Sequence, residues 1–112
     1  MPFIHFMTNT AVSDAEKNDL KAALGQAITA IPGKSEGWLM VRISDGCSLY
    51  FKGDPAPAAM VEVTVFGHAD HNAYTELTKR ICAIAEGMSI PASRVYVRYA
   101  ETDEWGWNGM NF

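Results

Sequence analysis

The second residue is the first candidate for chemistry, because it is a proline directly after the initiator methionine, Met1-Pro2. Methionine is normally removed before proline, so we expect a mature chain that begins at Pro2 with a free secondary amine. An ordinary α-amino group titrates near about pH 8, and partial burial disfavours its charged form. Pro2 is therefore a candidate general base, although prolines also occur here simply as strand starts.

Lys34 is the second candidate, because it follows the first predicted helix and precedes the second predicted strand. In a parallel pair of strands, this position lies at the same edge of the sheet as Pro2. A lysine there would lower the pKa of the amine and stabilise negative charge on a substrate. The alternative for Lys34 alone is an ordinary solvated loop lysine.

Other side chains of interest lie near the end of the chain. Tyr96 and Arg98 share one face of a predicted strand, where they would line a site or point into solvent. The tail carries Trp105, Trp107 and Phe112, and such an aromatic segment is unusual for a free end. It would line a pocket or fill a core.

Metal and thiol chemistry find little support in the sequence. His68 and His71 are spaced like a metal pair, but no third ligand is evident and helix capping or solvation is the better interpretation. Cys47 and Cys82 form no CxxC pair, so reduced thiols in a cytoplasmic chain are expected. We expect neither a metal nor a cofactor.

Composition excludes several classes of function. A chain of 112 residues predicts a single domain, residues 1–112. The net charge of −4 and the absence of a basic run argue against nucleic-acid and anionic-membrane binding. No apolar run approaches the ~20 residues that span a bilayer, and no secretory signal is evident. The apolar content of 48% is ample for a core and suggests an oligomer.

Periodicity predicts the elements that position these residues. A capping box, Ser13 to Glu16, begins a helix whose apolar stripe ends at Pro32-Gly33. A second helix is expected at 70–86. Strands are predicted at 3–7, 38–43, 60–66 and 94–99, with a short strand at 48–51 pairing back on the second.

The order of these elements is strand–helix–strand, twice. A helical crossover implies parallel pairing within each half. The two halves then form one four-stranded sheet with both helices on one face, an α+β sandwich. The other face would carry exposed apolar side chains, which a symmetric oligomer would cover.

Taken together, the motifs resemble the macrophage migration inhibitory factor family of the tautomerase superfamily from end to end. They are Pro2-Phe3-Ile4, Pro32-Gly33-Lys34, Phe66-Gly67, Ser93-Arg94-Val95-Tyr96-Val97 and Gly106-Trp107-Asn108…Phe112. The resemblance implies two βαβ repeats related by a pseudo-twofold axis and a mixed four-stranded sheet. It also implies a homotrimer whose three sheets line a barrel.

The activity that the resemblance implies is that of an isomerase without cofactor, which tautomerises keto and enol acids such as phenylpyruvate and also dopachrome-like compounds. Pro2 would be the catalytic base, and Lys34 would bind the oxygens of the substrate. Tyr96 and Arg98 would reach in from the neighbouring subunit. The remaining substrate-binding residues would be Trp38, Phe66, Trp107 and Phe112.

Three departures from the family pattern bear on specificity. Arg98 stands where the animal cytokines carry asparagine, so it would add a second cation for a carboxylate or narrow the site. Phe66 is larger than the usual aliphatic residue. Residues 56–59 contain no cysteine, so the thiol-oxidoreductase activity of the cytokines is not expected.

The sequence is also compatible with two other functions. The chain would alternatively be a secreted signalling ligand for a host receptor, exported by a non-classical route and carrying a vestigial tautomerase site. It would otherwise be a decarboxylase or dehalogenase of the same superfamily that uses the same amine.

Overall fold

Two strand–helix–strand halves form one sheet in the computed structural model, which describes residues 1–112. The first half contains β1 (Pro2–Thr8), α1 (Asp14–Ala27) and β2 (Met40–Ser44), and the second contains β3 (Ala59–Phe66), α2 (His71–Gly87) and β4 (Val95–Thr102). A terminal hairpin follows, with β5 (Gly106–Trp107) and β6 (Met110–Asn111). Short 3₁₀ turns lie at Ile28–Ala30, Glu36–Trp38 and Ala92–Arg94.

The strand order is β2-β1-β3-β4. β1 and β2 run parallel, as do β3 and β4, whereas the central pair β1 and β3 is antiparallel. The sheet is therefore mixed, and its two halves are related by a pseudo-twofold axis through the central pair. This confirms the predicted α+β architecture.

The core lies between the sheet and the two helices. Alternate residues of β1 and β3 are buried, and they form one cluster with the apolar stripes of α1 and α2. Fully buried side chains in this cluster include Ile4, Phe6, Val61, Leu24 and Leu77. Because both helices cover the same face, no helix of the chain covers the opposite face of the sheet.

The start of α1 is the predicted capping box. The Ser13 hydroxyl accepts a hydrogen bond from the Glu16 backbone N–H at 3.2 Å, and Ser13 N–H donates to the Glu16 carboxylate at 3.0 Å. The α-helix ends at Ala27, earlier than predicted, and a 3₁₀ turn continues it. Ile31 is nevertheless buried, so the apolar stripe has its predicted role.

The prediction of a strand at 48–51 is wrong, because these residues form no strand in the structure. In addition, β2 begins at Met40 and not at the predicted Trp38. The chain after β2 stays beside the end of β1, because the N–H groups of Gly46 and Cys47 donate to the carbonyls of Thr10 and Thr8, both at 3.1 Å. These bonds direct residues 46–47 toward the end of β1, so the following segment does not pair with the outer edge of β2.

The uncovered sheet face carries large exposed side chains. Met40 on one edge strand is 68% exposed, and Tyr96 on the other is 62% exposed. None of the helices has the length and apolar character needed to cross a membrane.

Candidate active site

The chain begins at the end of the sheet where β3 ends. Pro2 is buried and pairs with Val65, and the carbonyl of Met1 accepts a hydrogen bond from Phe66 N–H at 3.1 Å. Pairing in the sheet therefore fixes the Pro2 nitrogen beside the Phe66 backbone.

Lys34 is brought to the same place by a reversal of the chain after α1. Gly33 has a positive φ of 79°, which glycine adopts without steric cost, and Lys34 N–H donates to the Ile31 carbonyl at 3.1 Å. The Lys34 ammonium then donates to the Phe66 carbonyl at 2.9 Å. The lysine is thus anchored to the sheet end that holds Pro2.

The N-terminal amine at this place has an altered pKa. Burial, together with the hydrogen bond and positive charge of Lys34, lowers the pKa of the Met1 amine to about 6. Both causes disfavour the protonated form. An amine in this environment is mostly neutral at neutral pH, as a base must be.

A cleft of about 750 Å³ opens beside this amine. All three tryptophans of the chain line it. The rings of Trp38 and Trp107 meet edge to face, with centroids 5.1 Å apart. The remaining lining residues are Met1, Pro2, Phe3, Gly37, Leu39, Met40, Thr64, Trp105 and Gly106. Such an apolar cleft with a few polar groups is typical of small-molecule sites.

Phe66 and Phe112 form a second aromatic pair next to the amine. Their ring centroids are 5.7 Å apart, and Phe112 N–H donates to the Trp105 carbonyl at 3.0 Å, which closes the terminal hairpin. Neither ring is among the residues that line the cleft. Of the predicted site residues, Pro2, Trp38 and Trp107 line it, whereas Lys34, Phe66 and Phe112 lie at its amine end.

Tyr96 and Arg98 are not brought to this cleft within one chain. Arg98 pairs with Glu62 in the sheet register, while Pro2 pairs with Val65. The two positions are therefore about 10 Å apart along β3. Arg98 forms an ion pair with the Glu62 carboxylate on the uncovered face of the sheet.

Glu101 is the centre of a polar cluster that the sequence analysis missed. Its carboxylate accepts hydrogen bonds from the Tyr74 hydroxyl at 2.6 Å and from Ala69 N–H at 3.2 Å, and His68 Nδ1 lies 2.9 Å away. Hydrogen bonds from Tyr74, His68 and Ala69 lower the pKa of Glu101 to about 2. The hydrogen bond and charge of Glu101 raise the pKa of His68.

The same cluster restrains the start of α2. It fixes residues 67–70, which connect Phe66 to the helix, and Gly67 N–H donates to the Thr102 carbonyl at 2.9 Å. His68 is thus engaged by a carboxylate from β4. Only the fold brings Glu101 to this histidine, so no local pattern in the sequence indicated the pair.

Comparison with known proteins identifies relatives along the whole chain. The family described as Macrophage migration inhibitory factor (MIF) matches residues 1–112. A Macrophage migration inhibitory factor homolog of Trichuris trichiura is 27% identical over 118 residues, which cover 100% of each chain.

Solved structures give the same result. Leishmania major MIF2 is 36% identical with a TM-score of 0.92, covering 100% of this chain and 97% of its own. A homologue from Prochlorococcus marinus is 30% identical with a TM-score of 0.78, covering 98% of both chains. Macrophage migration inhibitory factor of Toxoplasma gondii is 20% identical with a TM-score of 0.91, covering 98% and 99%. At that identity the last comparison supports the fold alone.

Proposed function

Since this chain belongs to the macrophage migration inhibitory factor family, we propose that it is a cofactor-independent isomerase that interconverts the keto and enol forms of arylpyruvates such as phenylpyruvate. Dopachrome-like compounds are related substrates of the same chemistry. The main support for the proposal is that the N-terminal nitrogen, the Lys34 ammonium and an aromatic cleft lie together at one end of the sheet.

Pro2 acts as the base after removal of Met1. Its nitrogen takes a proton from the carbon beside the substrate carbonyl. The electron pair of the broken C–H bond forms the carbon–carbon double bond of the enolate, and the π pair of the carbonyl moves to its oxygen. The protonated amine then returns the proton to that oxygen, which yields the enol. Support comes from the lowered pKa of the Met1 amine, because burial and Lys34 act on the same region of the chain.

Lys34 stabilises the negative charge that develops on oxygen. Its ammonium is anchored to the Phe66 carbonyl, so little reorganisation is needed when the substrate arrives. Loss of Met1 also releases Phe66 N–H, which donates to the Met1 carbonyl in the untrimmed chain. This N–H then becomes a second donor for the oxygens of the substrate.

The tryptophan-lined cleft accommodates the aryl group. Aromatic rings gain from edge-to-face and offset contacts beyond simple burial, and Trp38 with Trp107 offers both an edge and a face. Phe66 and Phe112 extend the apolar surface at the amine end. Exclusion of water by these rings strengthens the interaction between Lys34 and the substrate anion.

The uncovered sheet face supports a homotrimer. Met40 and Tyr96 expose more than half of their surface at its two edges, and a closed ring of three chains would cover both. Tyr96 and Arg98 of one subunit would then enter the cleft of the next. There Arg98 would serve as a second cation for the substrate carboxylate.

The decisive experiment couples intact-mass measurement to a phenylpyruvate absorbance assay on one sample. We expect the mass of a chain without Met1, and we expect Pro2→Gly to lower kcat/KM at least about a hundredfold, the usual contribution of a general base. Retention of Met1 in an active sample, or equal activity of Pro2→Gly, would contradict the proposal. Circular dichroism confirms that the variant is folded.

A receptor-binding role is the second candidate, because the matching family is described as a macrophage migration inhibitory factor, which is the description of a signalling protein. In that case the protein is a secreted ligand of a host receptor, and its chemistry is secondary. Receptor capture that persists in both Pro2→Gly and Lys34→Ala would support this role. Capture that disappears together with activity would tie binding to the cleft.

A further inference from the structure

Arg94 organises the segment 51–57 from a distance of about forty residues along the chain. It ends the 3₁₀ turn before β4, and its guanidinium donates four hydrogen bonds to backbone carbonyls. Nε reaches Pro57 at 2.9 Å, Nη2 reaches Asp54 at 2.9 Å and Ala56 at 3.0 Å, and Nη1 reaches Phe51 at 3.4 Å. Only arginine offers so many donors in a rigid planar group.

Phe51 is the aromatic residue that this segment presents. Phe51 and Asp54 exchange two backbone hydrogen bonds of 3.1 Å around Lys52 and Gly53, whose φ values of 55° and 72° are both positive, as in a type I′ turn. The guanidinium carbon of Arg94 lies 5.3 Å from the centroid of the Phe51 ring, within the range of a cation–π contact. Arg94 therefore holds both the backbone and the ring of Phe51.

Phe51 in turn contacts Tyr96 on the uncovered face of β4. The two rings meet edge to face, with centroids 5.1 Å apart and planes at 84°. Tyr96 is 62% exposed, so few neighbouring atoms restrain the rotamer of its side chain. The contact with Phe51 is thus the main restraint on the direction of this exposed ring.

We propose that Arg94 is a positioning residue, which orients Tyr96 through Phe51 so that the tyrosine enters the cleft of the neighbouring subunit in a single pose. This inference rests on the proposed function, which puts Tyr96 in that cleft. Pre-positioning lowers the entropy lost on binding. The benefit appears chiefly as a lower KM for an aryl substrate.

A double-mutant cycle separates positioning from simple support of the loop. Arg94→Lys keeps the charge but loses the planar fork, and Phe51→Leu keeps the bulk but loses the ring. We expect each to lower kcat/KM for phenylpyruvate about tenfold in the parent, mostly through KM, and to have little effect in a Tyr96→Ala background. Lys52→Gln is the matched control, because Lys52 Nζ lies 5.6 Å from the same ring but holds no carbonyl in the segment; it should leave both parameters unchanged.

Equal losses in the presence and absence of Tyr96 would overturn the inference, as would unchanged kinetics in Phe51→Leu. If Arg94→Lys fails to fold, Phe51→Leu carries the test alone. Proton NMR of the Tyr96 ring provides a readout that needs no activity. We expect the ring-current shift from Phe51 to be lost in Arg94→Lys and retained in Lys52→Gln.

The kinetic assay and the NMR measurement distinguish a failure of the proposed function from a failure of the inference about Arg94. A parent protein that does not turn over phenylpyruvate contradicts the proposed function, while the NMR shift still decides whether Arg94 orients Tyr96. Unchanged Tyr96 signals in Arg94→Lys would overturn the inference even if the parent were fully active.

Discussion

The ammonium of Lys34 donates a hydrogen bond to the backbone carbonyl of Phe66 across 32 positions of sequence, at 2.9 Å. This bond joins the loop after α1 to the last residue of β3 and so fixes a positive charge at the start of the chain. A freely solvated lysine would lower the pKa of a nearby amine far less, because water screens its charge. Burial and the position of Lys34 therefore together lower the pKa of the amine.

The pH dependence of activity tests this relationship. In the trimmed protein kcat/KM should rise with pH as the Pro2 amine loses its proton, and the midpoint should lie below the ordinary α-amino range of about 8. Lys34→Ala should move this midpoint to higher pH, because a neighbouring positive charge is removed. It should also lower the plateau about a hundredfold, as loss of one oxyanion donor does.

Lys21→Ala is the control for that change, since Lys21 lies on α1 and bonds only to Asn18. Its profile should match the parent throughout. An acidic limb that stays in place in Lys34→Ala would show that the lysine does not act on the amine. Initial rates of phenylpyruvate ketonisation across about pH 5 to 9 provide the measurement.

Ligand binding in the cleft should change the fluorescence of all the tryptophans of the chain. Every tryptophan of the chain lines the cleft, so an unreactive aryl carboxylate such as 3-phenylpropionate should change most of the emission. Trp107→Phe should weaken both the signal change and the affinity, because it removes one emitting indole and leaves a smaller ring against Trp38. Competitive inhibition without any change in emission would place the ligand elsewhere.

The parts of the fold that depend on local pattern were predictable. The alternation of β3 and the capping box of α1 each express a short-range rule, and both are present. The segment 48–51 was mispredicted because its apolar residues serve tertiary contacts instead of a ladder. Phe51 packs on Arg94 and Tyr96, and Leu49 offers its carbonyl to the Asn9 side chain at 3.0 Å.

The ion pair between Arg98 and Glu62 predicts a second effect on substrate binding. Glu62 competes with a substrate carboxylate for the guanidinium. Glu62→Gln should therefore lower KM for phenylpyruvate about threefold, the range of an exposed ion pair, and leave KM for its methyl ester unchanged. The lower KM for phenylpyruvate should not be seen when Arg98 is also replaced by alanine.

Glu76→Gln offers a matched control, because Glu76 pairs with Arg80 at 3.3 Å on α2. It should change neither KM value. A lower KM for the ester in Glu62→Gln would point to a general rearrangement of β3 instead of a freed cation. Parallel steady-state assays with the acid and the ester supply the comparison.

The candidate site was only partly predictable, since its polar support comes from remote positions. Lys34 and Pro2 follow from the topology of a parallel pair. Glu101 does not, because its partners His68 and Tyr74 lie about thirty residues away and on another element. For His68 the sequence favours helix capping or solvation, yet the fold places its ring beside the Glu101 carboxylate of β4.

The Glu101 cluster predicts a stability difference that depends on pH in two opposite ways. The pKa of Glu101 is lowered from 4.5 to about 2, so its contribution to the free energy of unfolding is present above the unfolded value and is lost as pH falls toward about 2. The pKa of His68 is raised from 6.5, so its contribution is complete below 6.5 and is lost as pH rises through the raised value.

The difference in Tm between the parent and Glu101→Gln should therefore be largest near about pH 5.5, where the carboxylate is ionised and the imidazole is protonated. We expect a few degrees there, with a smaller gap at about pH 3, because the carboxyl of Glu101 is then protonated in the unfolded chain, and at about pH 9, because the imidazole of His68 is then neutral. Asp103→Asn, a neighbouring exposed carboxylate, should show no such maximum. Thermal unfolding followed by circular dichroism at these three pH values decides the matter, since a gap that stays constant between about pH 5.5 and 9 would mean that the hydrogen bonds from Tyr74 and Ala69 act without the histidine.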